Sequence, residues 1–158
     1  MRIDLREAGV HDCDLLLALM RGLYGAEHIA FDEARAERAL AGLLADPGLG
    51  RVWMIERDGR PVGYAVLTLG YSLEFGGRFA LLDELFIQEE HRGAGVGRRA
   101  LAQIAEACRG LGLMAVRLEV GRTNRMAQGL YQKVGYETHD RDLMTLWLDP
   151  GRRGMPQD

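Results

Sequence analysis

The segment HRGAGVGRRAL (residues 91–101) combines three closely spaced glycines with arginines, immediately before a helical pattern. Glycine inside a helix is less favourable than alanine by about 1 kcal/mol, so Gly93, Gly95 and Gly97 at a helix start require a physical reason. Unpaired N–H groups and the positive end of the helix dipole converge at such a start and bind anions. The segment therefore predicts an anion-binding site.

Two common phosphate-binding motifs do not fit this segment. The Walker loop requires a Gly-Lys pair, which the chain lacks. The dinucleotide-binding motif requires a third glycine where Arg98 stands, and a tight turn where five residues separate Ile87 from Gly93. A pyrophosphate lying over the helix start, with Arg92 and Arg98 adding charge, is the arrangement that the spacing favours.

Two adjacent acids, Asp83 and Glu84, interrupt the apolar strand pattern ALLDELFI. Strict alternation predicts opposite faces, Asp83 with Leu81, Leu85 and Ile87, and Glu84 with Leu82 and Phe86. Burial of an unpaired carboxylate is costly. Each acid must therefore be paired, lie at an edge or meet a cationic ligand.

A second group of polar residues follows the next strand pattern. Asn124 stands where a helix would begin and is a good N-cap residue, and Tyr131 lies seven positions later. Glu119 precedes them and shares a strand face with Arg117, with which it can form an ion pair. Tyr131 is either a core aromatic residue or a proton donor.

Hydrophobic periodicity and turn residues predict one mixed α/β domain over residues 1–149, with a flexible tail at 150–158. The predicted helices cover residues 11–25, 31–48, 97–112 and 124–135. Strands are predicted at 2–8, 78–87, 113–120 and 142–148, and a hairpin at 51–72 turns at Asp58-Gly59.

Composition restricts the class of protein further. The 158 residues are 47% hydrophobic, enough for one core, and the net charge of −3 disfavours a nucleic-acid partner. We expect no membrane span and no signal peptide, because the sequence shows no long apolar run. The four histidines lack metal-ligand spacing, and the two cysteines, Cys13 and Cys108, are expected to be free thiols in a cytoplasmic protein.

From Leu81 onward, over about sixty residues, the sequence resembles the GNAT superfamily of acetyl-coenzyme A-dependent N-acetyltransferases. Arg92, Gly95 and Gly97 match the family's pyrophosphate motif R/Q-x-x-G-x-G/A. Its N-x-x-A-x-x-x-Y motif is matched by Asn124, Ala127 and Tyr131. The amino-terminal half is compatible only in the order of its elements. The resemblance implies a GNAT-like fold, a mixed, mostly antiparallel sheet of about six to seven strands with four helices, its fourth and fifth strands splayed.

The resemblance also implies roles for individual residues. Backbone groups of Leu85, Phe86 and Ile87 would hold the pantetheine arm of acetyl-CoA and stabilise an oxyanion. Asn124 would bond the pantetheine, and the Tyr131 hydroxyl would protonate the departing thiolate. The pyrophosphate would be held by the glycine segment, that is, by Arg92, Gly93, Ala94, Gly95, Val96, Gly97 and Arg98.

Three carboxylates are candidates for the base that an amine acceptor requires, since only the neutral amine attacks a thioester. Glu84 is preferred and Asp83 is second, because the diamine acetyltransferases carry an adjacent acidic pair in the matching strand. Glu119 is the third, through a likeness to N-terminal-amine acetyltransferases. The resemblance also places the acceptor pocket at LYGAEHIAFDEARAE and LGYSLEFGGR, where Glu74 either lines the entrance or is a solvated loop acid. The acids there and nearby indicate a cationic small-molecule or peptide amine.

The hypothesis is direct transfer of acetyl from acetyl-CoA to a primary amine in a ternary complex, without a metal and with a homodimer as the possible assembly. The alternative is a non-catalytic module that binds acyl-CoA as a sensor. Tyr131 and the paired acids favour the enzyme.

Overall fold

The computed structural model describes residues 1–152; residues 153–158, most of the expected tail, lie outside the described residues. Five strands form one sheet in the order β1-β2-β3-β4-β5, in which β1 to β4 are antiparallel and β5 runs parallel to β4. The strands are β1 Ile3–Glu7, β2 Gly50–Arg57, β3 Arg60–Ser72, β4 Gly77–Ile87 and β5 Val116–Arg117. The mixed, mostly antiparallel sheet is confirmed.

The four helices are α1 Cys13–Ala26, α2 Glu33–Ala45, α3 Val96–Gly110 and α4 Arg125–Val134. Local side chains begin two of them, since Asp32 accepts from the Arg35 N–H at 3.1 Å and Asn124 accepts from the Ala127 N–H at 3.2 Å. Gly135 ends α4 with φ 116°, a conformation that glycine adopts without strain. The N-cap predicted at Asn124 is confirmed.

The helices cover the two faces of the sheet and create two apolar layers. Helices α1 and α2 pack on one face, against Met54, Tyr64 and Val66. Helices α3 and α4 pack on the other, against Ile55, Leu67 and Leu82. Alternation along β3 supplies both layers at once, because successive side chains of a strand point to opposite faces.

A β-bulge in β4 overturns the predicted alternation around the two acids. Val66 of β3 lies opposite Glu84 and Leu67 lies opposite Leu82, so Asp83 is the extra residue. The bulge shifts the face pattern by one position. Leu82 therefore shares its face with Leu85 and Ile87, which pack on the α3 side, whereas Glu84 shares the α1 side with Phe86. The predicted grouping of Glu84 with Leu82, and of Asp83 with Leu85 and Ile87, is wrong.

Strands β4 and β5 pair over two residues only. Ala80 lies opposite Val116 and Leu81 opposite Arg117, and from Leu82 onward β4 has no strand partner on this edge within residues 1–152. The splayed strands implied by the resemblance are thus present, and the strand predicted at 113–120 shortens to two residues.

The strand predicted at residues 142–148 is not formed, so the described chain has five strands rather than six or seven. Among residues 1–152 no strand lies beside this segment, so the alternating pattern has no partner with which to form a sheet. Four of its five apolar side chains are instead 68% to 90% exposed: Leu143, Met144, Leu146 and Leu148. The segment then reaches α2, where the Asp149 carboxylate binds Arg35 at 2.8 Å. Residues 150–152 form a 3₁₀ turn.

An ion-pair network joins the first elements of the chain. The buried Asp12 carboxylate receives two bonds from the Arg6 guanidinium, at 3.0 and 2.9 Å, and one from the Gly9 N–H at 2.8 Å. Arg6 also binds Glu56 of β2 at 2.7 Å.

Among residues 1–152, no helix has the length and apolar character needed to span a membrane.

Replacement of Asp12 by alanine is expected to destabilise the fold by about 1–3 kcal/mol in urea unfolding, because Arg6 and the Gly9 N–H lose their acceptor. The hydrogen bonds from Arg6 lower the pKa of Asp12 from 3.8 to about 2. The stabilisation is therefore complete above pH 3.8 and disappears as the pH falls towards about 2. Asp14→Ala is the control, because Asp14 is an exposed acid two residues later in the first turn of α1. An equal loss in both variants would contradict this role.

Candidate functional site

The glycine segment forms the start of α3 with two left-handed residues. Gly93 and Gly95 both have φ 81°, and a Cβ added to either would meet no atom within 4 Å. The backbone therefore needs glycine for its conformation, while the space above it stays open. The first N–H groups of a 15-residue helix face that space, which suits a pyrophosphate.

Gly97 has a different reason to be glycine. A Cβ there would lie 3.2 Å from the Leu130 Cδ2 and 3.5 Å from the Ile87 Cδ1. Helix α3 thus packs closely against both α4 and the end of β4. The three glycines have separate functions, two in shaping the loop and one in helix packing.

The arginines of the segment also differ in their contacts. The Arg92 Nε donates to the Ile87 carbonyl at 2.7 Å, and its guanidinium lies 5.4 Å from the centre of the Phe86 ring. Arg92 therefore ties the loop to the end of β4. Arg98 is exposed in the first turn of α3, and Ala94 and Val96 complete the loop with Val96 buried beneath it.

The unpaired edge of β4 adjoins this loop. Leu85, Phe86 and Ile87 lie beyond the last β4–β5 pair, and a 3₁₀ turn at Glu89–His91 connects them to the glycine segment. Their other edge is occupied, since Ala65, Tyr64 and Gly63 of β3 lie opposite them. An extended ligand can add to the free edge as a strand would, with its far end at the start of α3.

Glu84 is held by two tyrosine hydroxyls on the α1 side of β4. The Tyr24 hydroxyl donates to one carboxylate oxygen at 2.6 Å and the Tyr64 hydroxyl to the other at 2.7 Å. Burial raises the pKa of Glu84, and the charges of Asp83 and Glu27 add to the increase, although both tyrosine bonds oppose it. The result is a half-buried carboxylate of fixed orientation whose affinity for a proton exceeds that of a solvated glutamate.

This carboxylate lines a cavity of about 640 Å³. Helix α1 contributes Met20 and Tyr24, α2 contributes an apolar wall including Leu40, and the carboxyl-terminal segment adds Trp147 and Arg152. Apolar walls with a few convergent polar groups are typical of small-molecule sites.

Asp83, the bulged residue, lines the same cavity and also a second one of about 40 Å³ that it shares with Glu119. Glu119 is exposed beside the point where the strands diverge. The ion pair considered for Arg117 and Glu119 is not formed; Arg117 instead lies 5.2 Å from the centre of the Phe75 ring. Glu74 is exposed and lines neither cavity.

Asn124 and Tyr131 lie at the start and in the last turns of α4. The Asn124 Oδ1 caps the helix, which leaves its amide N–H groups available. Tyr131 packs on the core and against Tyr136, with ring centres 5.7 Å apart, and its hydroxyl has no hydrogen-bond partner within residues 1–152. Burial, followed by the charge of Glu27, raises the pKa of Tyr131, so the phenol stays protonated at neutral pH.

Sequence analysis missed Tyr24, Tyr64, Trp147 and Arg152 as members of this site. Tyr24 and Tyr64 were hidden in amphipathic patterns, and both are separated from Glu84 in sequence by 20 residues or more. The only available signal was the unexplained acid in an apolar strand, which required a partner from elsewhere.

Both cysteines are free, and Cys108 lies on the buried face of α3.

Comparison with known proteins agrees with this geometry. Residues 17–136 match the model of the acetyltransferase (GNAT) family. A thialysine N-epsilon-acetyltransferase of Bos taurus is 30% identical over 144 residues, covering 83% of this chain and 82% of its own.

Two solved structures illustrate the shared fold. An integron cassette protein from a salt-marsh metagenome has a TM-score of 0.82 and 36% identity, covering 92% of this chain and 91% of its own. A predicted acetyltransferase of Clostridium acetobutylicum, solved with acetyl-CoA, has a TM-score of 0.75 at 18% identity, covering 92% and 96%. Together with the splayed strands and the glycine loop, the family match establishes that this chain belongs to the GNAT family and is an acetyl-CoA-dependent N-acetyltransferase.

Proposed function

We propose that this enzyme transfers acetyl from acetyl-CoA to a cationic primary amine by direct attack within a ternary complex. The observation that carries the proposal is the position of Glu84, a half-buried and oriented carboxylate that lines a cavity and lies beyond the last β4–β5 pair. Cosubstrate and acceptor can then approach the same strand from different sides.

The cosubstrate is held by backbone more than by side chains. Gly93 to Arg98 hold its pyrophosphate at the start of α3, and the free edge of β4 binds the pantetheine arm at Leu85 to Ile87. The Asn124 amide donates to the same arm. A backbone N–H of that edge also stabilises the thioester oxygen as negative charge develops on it.

The transfer requires one group that accepts a proton from the amine and another that donates a proton to the thiolate. Glu84 accepts a proton from the ammonium group, directly or through water, and the neutral nitrogen attacks the thioester carbon. A C–N bond forms and the C–S bond breaks as the tetrahedral intermediate collapses. The thiolate takes a proton from the Tyr131 hydroxyl, the tyrosinate takes the second proton from the acylated nitrogen, and Glu84 releases the first proton to solvent.

A cationic acceptor is supported by the charge of the cavity. Asp83 and Glu84 both line it, and apolar surface from α1 and α2 surrounds them. An amine that enters as an ammonium ion compensates the buried charge of Glu84 before it gives up its proton. Relatives named for thialysine as acceptor agree with this class of substrate.

For the compartment we propose the cytoplasm, with the two free cysteines as support. For the assembly we propose a homodimer. Its support is the row of exposed apolar side chains at residues 143–148, because contiguous apolar surface favours association.

The proposed function is tested by release of free coenzyme A from acetyl-CoA across a panel of amines, with Tyr131→Phe beside the wild type. We expect amine-dependent release, reduced about 100-fold or more in kcat by the variant because the thiolate loses its acid. Calorimetry should give the same acetyl-CoA Kd for both proteins.

Tyr136→Phe is the matched control, since Tyr136 is also half-buried and packs against Tyr131. Binding of acetyl-CoA without turnover of any amine would support the sensor instead. Absence of acetyl-CoA binding would end both hypotheses.

Replacement of Glu84 by glutamine is expected to lower kcat/KM by about 100-fold or more, the contribution typical of a general base. The base works only when deprotonated, and burial raises its pKa above 4.5. The wild-type rate should therefore fall as the pH drops through a pKa higher than that of a solvated glutamate. The variant should lack this acidic limb. If Asp83→Asn or Glu119→Gln removes the limb and Glu84→Gln does not, the base is assigned wrongly.

Gly95→Ala is expected to weaken acetyl-CoA binding about tenfold in calorimetry, which corresponds to about 1.4 kcal/mol. The added methyl group would occupy the open space above the first N–H groups of α3. Gly112→Ala is the matched control, because Gly112 has a similar φ of 73° and equally open surroundings at the other end of the helix. Equal Kd values for the two variants would show that the loop does not hold the pyrophosphate.

A further inference from the structure

The cavity that contains Glu84 is completed by a part of the chain outside the family's two motifs. Trp147, Asp149, Gly151 and Arg152 all line it. They bring an aromatic ring, the Arg152 cation and the Asp149 carboxylate to a site that Asp83 and Glu84 line from β4. Asp32 and Arg35 line it from the α2 side, and Arg35 is bound to Asp149. Between these groups the lining is mainly apolar, from Met20, Ala36, Ala39, Leu40, Leu43 and Val66.

This carboxyl-terminal segment is fixed in place on α2. The Asp149 carboxylate receives the Arg35 guanidinium at 2.8 Å and the Gly151 N–H at 3.0 Å. The Arg152 N–H donates to the Asp149 carbonyl at 3.0 Å and closes the turn. The backbone that carries Arg152 is therefore anchored beside the cavity.

The Arg152 guanidinium stacks on Trp147, with 4.9 Å between its central carbon and the ring centre. Stacking uses one face of the planar group and leaves the N–H groups on its edge free to donate. Within residues 1–152 Arg152 forms no ion pair, whereas Arg35 beside it is bound to Asp149. A half-buried arginine with unused donors at a cavity is suited to a carboxylate, which it can bind through two parallel hydrogen bonds.

Arg152 is also close to the catalytic wall. Burial and Glu84 raise the pKa of Tyr24, and the positive charge of Arg152 opposes part of that increase. Because the Tyr24 hydroxyl donates to Glu84, one small molecule can reach both Glu84 and Arg152 across the apolar wall.

We propose that Arg152 and Trp147 form a subsite for a carboxylate on the acceptor, so that the enzyme selects amino acids whose side chain ends in a primary amine. The inference rests on the proposed function. The amine end lies at Glu84, the methylene chain lies on the apolar wall, and the carboxylate lies at Arg152. A diamine would place an ammonium ion beside the guanidinium with no carboxylate to pair with it, and this uncompensated repulsion discriminates against the diamine.

The test compares L-lysine with 1,5-diaminopentane, which has the same amine and chain but no carboxylate. Release of coenzyme A gives kcat/KM for each amine with wild type, Arg152→Gln and Arg152→Lys. Arg38→Gln is the matched control, since Arg38 is exposed on α2 and does not line the cavity. Unchanged Tm values confirm that each variant is folded.

We expect the wild type to prefer lysine, and Arg152→Gln to reduce that preference about tenfold or more, chiefly through the KM for lysine. Arg152→Lys should recover part of the preference because it keeps the charge without the two-pronged geometry. Arg38→Gln should leave the preference as in the wild type.

Three results would overturn the subsite while acetyl transfer stands. They are a wild-type preference for diaminopentane, an equal loss for both amines in Arg152→Gln, and turnover of other amines but of neither member of the pair. Failure of the proposed function is distinct, because no amine at all would then release coenzyme A from bound acetyl-CoA.

Discussion

The site depends on the backbone of β4 between Leu82 and Leu85. This strand packs on α3 through one face and on α1 through the other, and the bulge at Asp83 exchanges the two faces midway. Without the extra residue, the side chain that follows Leu82 by two positions would point at the apolar α3 layer. With it, Glu84 points towards α1 and meets two tyrosine hydroxyls. Bulges commonly redirect side chains beside active sites in this way.

Partial burial of the Glu84 carboxylate is tolerated because both of its oxygens have a donor. Hydrogen bonds to a charged group contribute about 1.5–3 kcal/mol each, and the two tyrosines supply one to each oxygen. They offset part of the desolvation cost without neutralising the charge, so the pKa of Glu84 remains raised. A cationic partner such as arginine would have lowered it. Tyrosines therefore orient the carboxylate and still leave it a usable base.

Features of the site that come from neighbouring residues in the sequence could be predicted. The glycine loop, the cap at Asn124 and the position of Tyr131 all follow from spacing within one loop or one helix. The bulge could not be predicted from alternation, because it arises from how β3 and β4 pair. The prediction of a strand at residues 142–148 was wrong for the same reason. The alternating pattern suits a strand, but no neighbouring strand among residues 1–152 pairs with it. The tyrosines around Glu84 come from distant elements and required the folded arrangement.

The close packing at Gly97 has a mechanical consequence. Leu130 of α4 and Ile87 of β4 both come within 3.5 Å of the space where a side chain would begin. Leu130 is the neighbour of Tyr131 in sequence, and Ile87 ends the free strand edge. A single van der Waals contact region at Gly97 therefore couples α4, which carries the Tyr131 phenol, to β4, which carries the Glu84 carboxylate. Displacement at this junction would move the Tyr131 phenol relative to the Glu84 carboxylate, although neither group is touched directly.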